Sequence, residues 1–210
     1  MATKKKREPL KITCGSTDCG NNLHCFRVSK KMSEEQKGSC RACGARLVDW
    51  DRVHQRDFSD VSHTITSLKY EKIRHYFWEL PLTQRITDHA RRKGRTGMEE
   101  AVEKRIRQSV FRPKAENPYD GRQTPLEGDK ETLITRGQHA VACCCRTCIE
   151  YWHNIPANLP LTDEQMKYFK KLLLMFIDDR LPVLKPDPEK IPRRKKPTSQ
   201  KELTLEDKGA

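Results

Sequence analysis

Four cysteines near the start constrain this chain more than any other feature. Four residues separate Cys14 from Cys19, two separate Cys40 from Cys43, and twenty lie between the pairs. The pairs echo each other, Cys19-Gly20-Asn21-Asn22-Leu23 against Cys43-Gly44-Ala45-Arg46-Leu47. A glycine after the second cysteine lets the chain turn with positive φ, so that backbone amides face the sulfurs, and the leucine closes a small apolar cap. This is the spacing of a four-Cys zinc ribbon or a pair of treble-clef-like knuckles, with Cys14, Cys19, Cys40 and Cys43 as ligands. His24 and Cys25 compete for the fourth position, and Cys25 reads most simply as a small buried hydrophobe. A closed four-ligand site leaves no position for substrate, so this Zn2+ is structural: it holds a core-poor segment folded.

The rest of the composition bounds the class. The chain has 210 residues, of which 35% are hydrophobic, and 42 Lys plus Arg against 29 Asp plus Glu leave a net charge of +13. That is one modest domain with appendages. No run of about eighteen apolar residues is present, and the charged start has no apolar stretch behind it, so the expectation is a cytoplasmic protein with no membrane association. In that reducing compartment, nine cysteines at short spacings are metal ligands or free thiols rather than disulfides. Residues 1–9, with Lys4-Lys5-Lys6-Arg7, and residues 183–210, with Arg193-Arg194-Lys195-Lys196, read as basic disordered tails. The expected fold is mainly α, with a small N-terminal zinc ribbon of short β hairpins over 10–50 and a helical domain over 51–182.

Helical signals follow the ribbon. Leu68, Ile73, Tyr76, Phe77 and Leu80 form an imperfect apolar stripe ended by Pro81. A short helix is expected from Thr83 to about Arg92, and Thr96-Gly97-Met98-Glu99 has the form of a capping box opening a helix to about Val110. Thr162-Asp163-Glu164-Gln165 opens the clearest helix, with Met166, Phe169, Leu172, Leu173, Phe176 and Ile177 inward and Pro182 as its stop. Between Arg91 and Lys114 nine Lys or Arg face three Glu. Such a segment is either a solvated face laced with intrahelical pairs such as Glu103 with Arg107, or a phosphate-binding face. On the second reading Arg91, Arg92, Lys93, Arg95, Lys104, Arg105 and Arg107 contact nucleic acid.

A long aperiodic loop, 111–137, leads to a second cluster over 139–153 with two His and four Cys: His139, Cys143, Cys144, Cys145, Cys148 and His153. On a helix Cys145, Cys148 and Trp152 share a face. Adjacent Cys144 and Cys145 point about 100° apart there, so they serve one metal only at a helix start or a turn. Three readings compete: a second metal site from Cys144, Cys145 and Cys148 with a histidine, a buried cluster of small hydrophobes, and a reactive thiol activated by Arg146.

The residues Arg122-Gln123-Thr124-Pro125, Gln138-His139-Ala140, Cys144-Cys145-Arg146-x-Cys148, Trp152-His153-x-Ile155-Pro156 and Leu161-Thr162-x-Glu164 together resemble a bacterial and phage family catalogued as a domain of unknown function. Its ribbon-bearing members look similar also through Leu47-Val48-Asp49-Trp50-x-Arg52-Val53-His54 and Ile73-Arg74-His75-x-Phe77-Trp78. The likeness spans roughly residues 10 to 182. It implies a bacterial or phage-borne cytoplasmic protein and raises His139, His153, Cys144, Cys145 and Cys148 as site residues. Cys143 stands outside the pattern, where a small or hydroxyl residue is usual.

The first functional reading is a zinc-binding protein associated with nucleic acid, DNA ahead of RNA. The alternative is a metal-dependent hydrolase acting on nucleic acid, with His139 or His153 as ligand or base, Arg122 on a phosphate and Gln123 orienting a base or water. Against it, the chain lacks the His-x-Glu with Pro-Cys-x-x-Cys pattern of zinc deaminases and paired carboxylates near the cluster. A third reading is a zinc-stapled module for an acidic protein partner.

Overall fold

The computed structural model describes residues 12–29, 31–117, 120 and 131–192. Among these, seven α-helices carry the fold: α1 (Trp50–Gln55), α2 (Val61–Lys69), α3 (Lys72–Glu79), α4 (Gln84–Ser109), α5 (Leu133–Ala140), α6 (Arg146–His153) and α7 (Asp163–Arg180). The expected hairpins reduce, among the described residues, to two isolated bridges, Asp18 with Leu23 and His24 with Glu71. The backbone of this N-terminal segment instead makes 3₁₀ turns at Cys19–Asn21 and Glu34–Gln36 and a positive-φ turn at Gly44.

The helix starts follow local chemistry. Thr162 Oγ1 accepts from Gln165 N at 3.2 Å while Gln165 Oε1 accepts from Thr162 N at 3.0 Å, a complete capping box for α7. The stripe from Met166 to Ile177 is buried, and α7 packs on α2, α4 and α5. Gly137 permits the closest of these approaches, because a Cβ there would lie 2.9 Å from both Leu173 Cδ2 and Phe176 Cδ1.

The basic helix is broken where two helices were expected. Gly94 has φ 67° and ψ 172°, so α4 is two helical segments meeting at a kink. The second segment's first amides are capped from a distance rather than by the Thr96 box: Arg95 N and Thr96 N donate to Lys185 O and Pro186 O at 2.7 and 3.2 Å. Residues 183–192, expected within the C-terminal tail, therefore run back along α4 as a strap, and Glu189 N donates to Arg91 O at 2.9 Å. The kink leaves orphan amides and bare backbone, which is what an extended acceptor segment can satisfy. Both basic runs, at 4–7 and 193–196, lie outside the described residues.

The N-terminal segment and the helices share one apolar core. Phe26 meets Trp50 and Trp152 edge-on at 5.9 and 6.0 Å, and Ile12, Phe26 and Cys40 belong to the same buried cluster as α2 to α7. The backbone joins them too, with His24 N donating to Tyr70 O at 2.7 Å and Lys72 N to His24 O at 2.9 Å. Among the described residues no helix is long and apolar enough to cross a membrane.

Candidate metal centres

The first cluster gathers Cys19, His24, Cys40 and Cys43, one ligand atom from each lying within 4.8 Å of the others. A tetrahedral zinc with Zn–S of about 2.3 Å sets sulfurs about 3.8 Å apart. Cys19 Sγ and Cys40 Sγ are 3.8 Å apart, and Cys43 Sγ lies 3.4 Å from His24 Nδ1. The other ring nitrogen, His24 Nε2, is 3.0 Å from Asn22 Oδ1. Donation from Nε2 to that oxygen fixes the tautomer that leaves a lone pair on Nδ1, the arrangement a metal-binding imidazole needs. Burial pushes the Cys40 thiol up, but contacts from the backbone around Cys25, Ala42 and Cys43 and from the His24 ring outweigh it and hold the group at about 6.

The second cluster gathers Cys144, Cys145 and Cys148 within the same distance. Cys145 is the residue before α6, with extended φ −157° and ψ 163°, and its Sγ accepts from Cys148 N at 3.4 Å. This helix start lets neighbouring cysteines converge. Cys14, expected in the ribbon set, falls in neither group; the neighbouring thiols of Cys14, Cys144 and Cys145 hold the Cys148 group well below its ordinary value. Cys25, buried beneath the ribbon, donates its thiol to Cys14 O at 3.2 Å.

A buried ion pair lies against this second cluster. Arg74 and Glu71 are each about 1% exposed and pair at 2.9 Å. Arg74 Nη2 lies 3.3 Å from Cys148 Sγ, and Nη1 lies 4.0 Å from Cys144 Sγ and 2.8 Å from His139 O. Glu71 also accepts from Tyr151 Oη at 2.8 Å and Trp152 Nε1 at 2.6 Å. Each carboxylate oxygen therefore has a donor, which a buried carboxylate requires. The charge beside the thiols thus comes from Arg74. Arg146 turns away, its guanidinium donating to Val110 O, Pro156 O and Leu159 O. Sequence reasoning passed over both members of the pair. The available signal was an acid and a base three residues apart inside the Leu68 to Phe77 stripe, where charge is out of place.

The histidines expected to act in catalysis stand outside both clusters. His139 is buried and stacks on Phe77 at 4.6 Å. His153 is fully buried, its Nε2 is 3.0 Å from Val141 O, and its ring meets Tyr168 and Phe169 edge-on. Burial lowers His153 to about 3, so the ring is neutral at physiological pH. Arg122 and Gln123 lie outside the described residues.

Much of the basic segment is already engaged. Arg91 pairs with Glu189 at 2.6 Å, Arg95 with Asp178 at 2.6 Å, and Arg107 with Glu103 at 3.5 Å. Arg105 Nε donates to Gln138 Oε1 at 2.9 Å. No carboxylate among the described residues forms an ion pair with Arg92, Lys93 or Lys104.

No solved structure matches the chain. The family model described as a domain of unknown function, DUF4186, matches residues 62–178, which takes in α3 with its Arg74, the second cysteine cluster and most of α7, and stops short of the ribbon cysteines. With more than half of its length matched, the chain belongs to the DUF4186 family.

Proposed function

We propose that this is a zinc-binding, nucleic-acid-associated protein in which metal maintains the fold and a basic cleft on α4 takes the phosphate backbone. The observation that carries this reading is a cleft of about 670 Å³ between the first segment of α4 and the strap. His89, Arg92, Lys93 and Lys190 line it, with Ile191 and Pro192 as an apolar wall, and its one acid, Glu189, is taken by Arg91. The His89 ring reports the local field: burial, then Lys93, Arg92 and Arg85, hold it below its ordinary value. Concentrated positive charge attracts phosphates and releases their counterions on binding. In sequence Pro192 is followed by Arg193-Arg194-Lys195-Lys196, and the whole chain carries +13.

A first cluster that offers four protein ligands, and a neutral, core-packed His153 outside both clusters, favour binding over hydrolysis. The test is fluorescence anisotropy with labelled duplex DNA and with RNA at low and moderate salt. Affinity should fall steeply with salt for DNA. Arg92→Glu with Lys93→Glu should weaken it at least ~10-fold and flatten the log–log salt slope by about 2. Undetectable binding at low salt, or binding indifferent to salt, overturns the reading, and salt-sensitive capture of an acidic protein in its place selects the protein-partner alternative.

A further inference from the structure

The strap over α4 replaces hydrogen bonds that the helix itself gives up. In an unbroken helix Arg95 N would donate to Arg91 O, four residues back. The Gly94 kink turns Arg95 N to Lys185 O at 2.7 Å, and Glu189 N takes Arg91 O at 2.9 Å in its place. Thr96 N, donating to Pro186 O at 3.2 Å, adds a third tie. The backbone thus fixes residue 189 beside residue 91 whatever side chain it carries.

The side chain it carries is an anion. Glu189 meets the Arg91 guanidinium twice, with Nε donating to Oε1 at 3.2 Å and Nη2 to Oε2 at 2.6 Å. Arginine holds a phosphate with the same two-pronged grip. The Arg91 side chain is 40% exposed, so the pair adds little to the stability of the fold. It does set the charge of the cleft, where Glu189 is the one acid lining the wall against Arg92, Lys93 and Lys190. Of the consecutive cations Arg91, Arg92 and Lys93, Arg91 alone forms an ion pair among the described residues.

We propose that Glu189 is an internal counter-anion that holds the place of a phosphate: its carboxylate occupies the guanidinium of Arg91, and a backbone phosphate of nucleic acid entering the cleft displaces it. This rests on the nucleic-acid reading above and adds the regulation of that cleft. The exchange puts one anion in place of another on the same two nitrogens and leaves the backbone ties of the strap intact. Tethered beside Arg91, the carboxylate competes at the effective concentration of an intramolecular ligand. A lone small anion therefore exchanges with it less readily than a polyanion that also reaches Arg92 and Lys93.

The test is fluorescence anisotropy of the full chain, as purified, with labelled duplex DNA across a salt series. Glu189→Gln keeps the backbone tie and the length of the side chain. It should raise affinity by roughly 3- to 10-fold and steepen the log–log salt slope by about 0.9, the signature of one more phosphate contact. Asp187→Asn removes the same charge from the strap without freeing Arg91, and should leave the slope unchanged. Arg91→Gln added to Glu189→Gln should return the slope to that of the wild type. A second measurement needs no variant: the carbon signal of the Glu189 carboxylate in the wild type should move toward that of an unpaired glutamate as DNA is added. A Glu189→Gln slope equal to that of the wild type or of Asp187→Asn, or a carboxylate signal that DNA leaves in place, overturns the masking of Arg91 while nucleic-acid binding stands. No binding by either the wild type or Glu189→Gln at low salt overturns the nucleic-acid reading and the masking together.

Discussion

His153, a candidate for chemistry from sequence, packs in the core. Its ring, fully buried against Tyr168 and Phe169, titrates at about 3 rather than near 6.5 because burial penalises the charged form. The unfolded chain therefore binds a proton near pH 6.5 that the folded chain refuses until about pH 3. Stability from this residue is fully present above about pH 6.5 and is lost progressively as the pH falls toward 3. At about 1.4 kcal/mol per unit the whole window amounts to several kcal/mol. His153→Gln, which retains a donor for Val141 O, should flatten the dependence of the melting temperature on pH between 6.5 and 4, measured at fixed zinc. Equal slopes in wild type and variant would contradict this assignment. Arg74 is the opposite case. It occupies an apolar stripe, yet the carboxylate of Glu71 and the sulfurs of Cys144 and Cys148 meet its guanidinium on separate sides.

At the scale of the element, the α4 kink and the strap depend on one residue. Gly94 has φ 67°, and a Cβ on it would sit 2.5 Å from both Pro186 O and the Asp187 carbonyl carbon. Backbone cannot yield as a flexible side chain can, so Gly94→Ala should displace residues 185–189 and uncap Arg95 N and Thr96 N. Loss of 1–3 kcal/mol is about the scale expected for such strain. Faster hydrogen exchange at Arg95 and Thr96 would report it, and unchanged exchange there would refute it. The helices themselves were legible because their cues are local: the Thr162 to Gln165 box and the Met166 to Ile177 stripe sit in consecutive turns. The strap was not legible, since its partners are backbone amides about ninety residues earlier that become available only after the kink forms. The same limit applied to the metal clusters. Spacing brought Cys19, Cys40 and Cys43 together, and the requirement for a helix start reconciled Cys144 with Cys145. That His24 rather than Cys14 stands with Cys19, Cys40 and Cys43 goes with the bridge of His24 to Glu71, and no spacing rule encodes that.

Across the whole molecule, the two clusters and the basic cleft lie on different parts of the fold. The clusters bracket the junction of the N-terminal segment with the helical body, where Glu71 touches both: its backbone bridges to His24 and its side chain holds Arg74 against the second cluster. The +13 charge is less available than its total suggests, because Arg91, Arg95 and Arg107 are paired within the fold, whereas Arg92 and Lys93 of the first α4 segment form no ion pair among the described residues. Ions bound only by the folded state would add their binding free energy to folding, so chelation should lower the melting temperature. The most direct measurement is metal content per purified chain, by elemental mass spectrometry against amino-acid analysis. Two zinc ions per chain are expected, falling to one in Cys145→Ser with Cys148→Ser and to one in Cys40→Ser with Cys43→Ser. A chain carrying no zinc, or a stoichiometry that neither pair of substitutions lowers, would contradict the account.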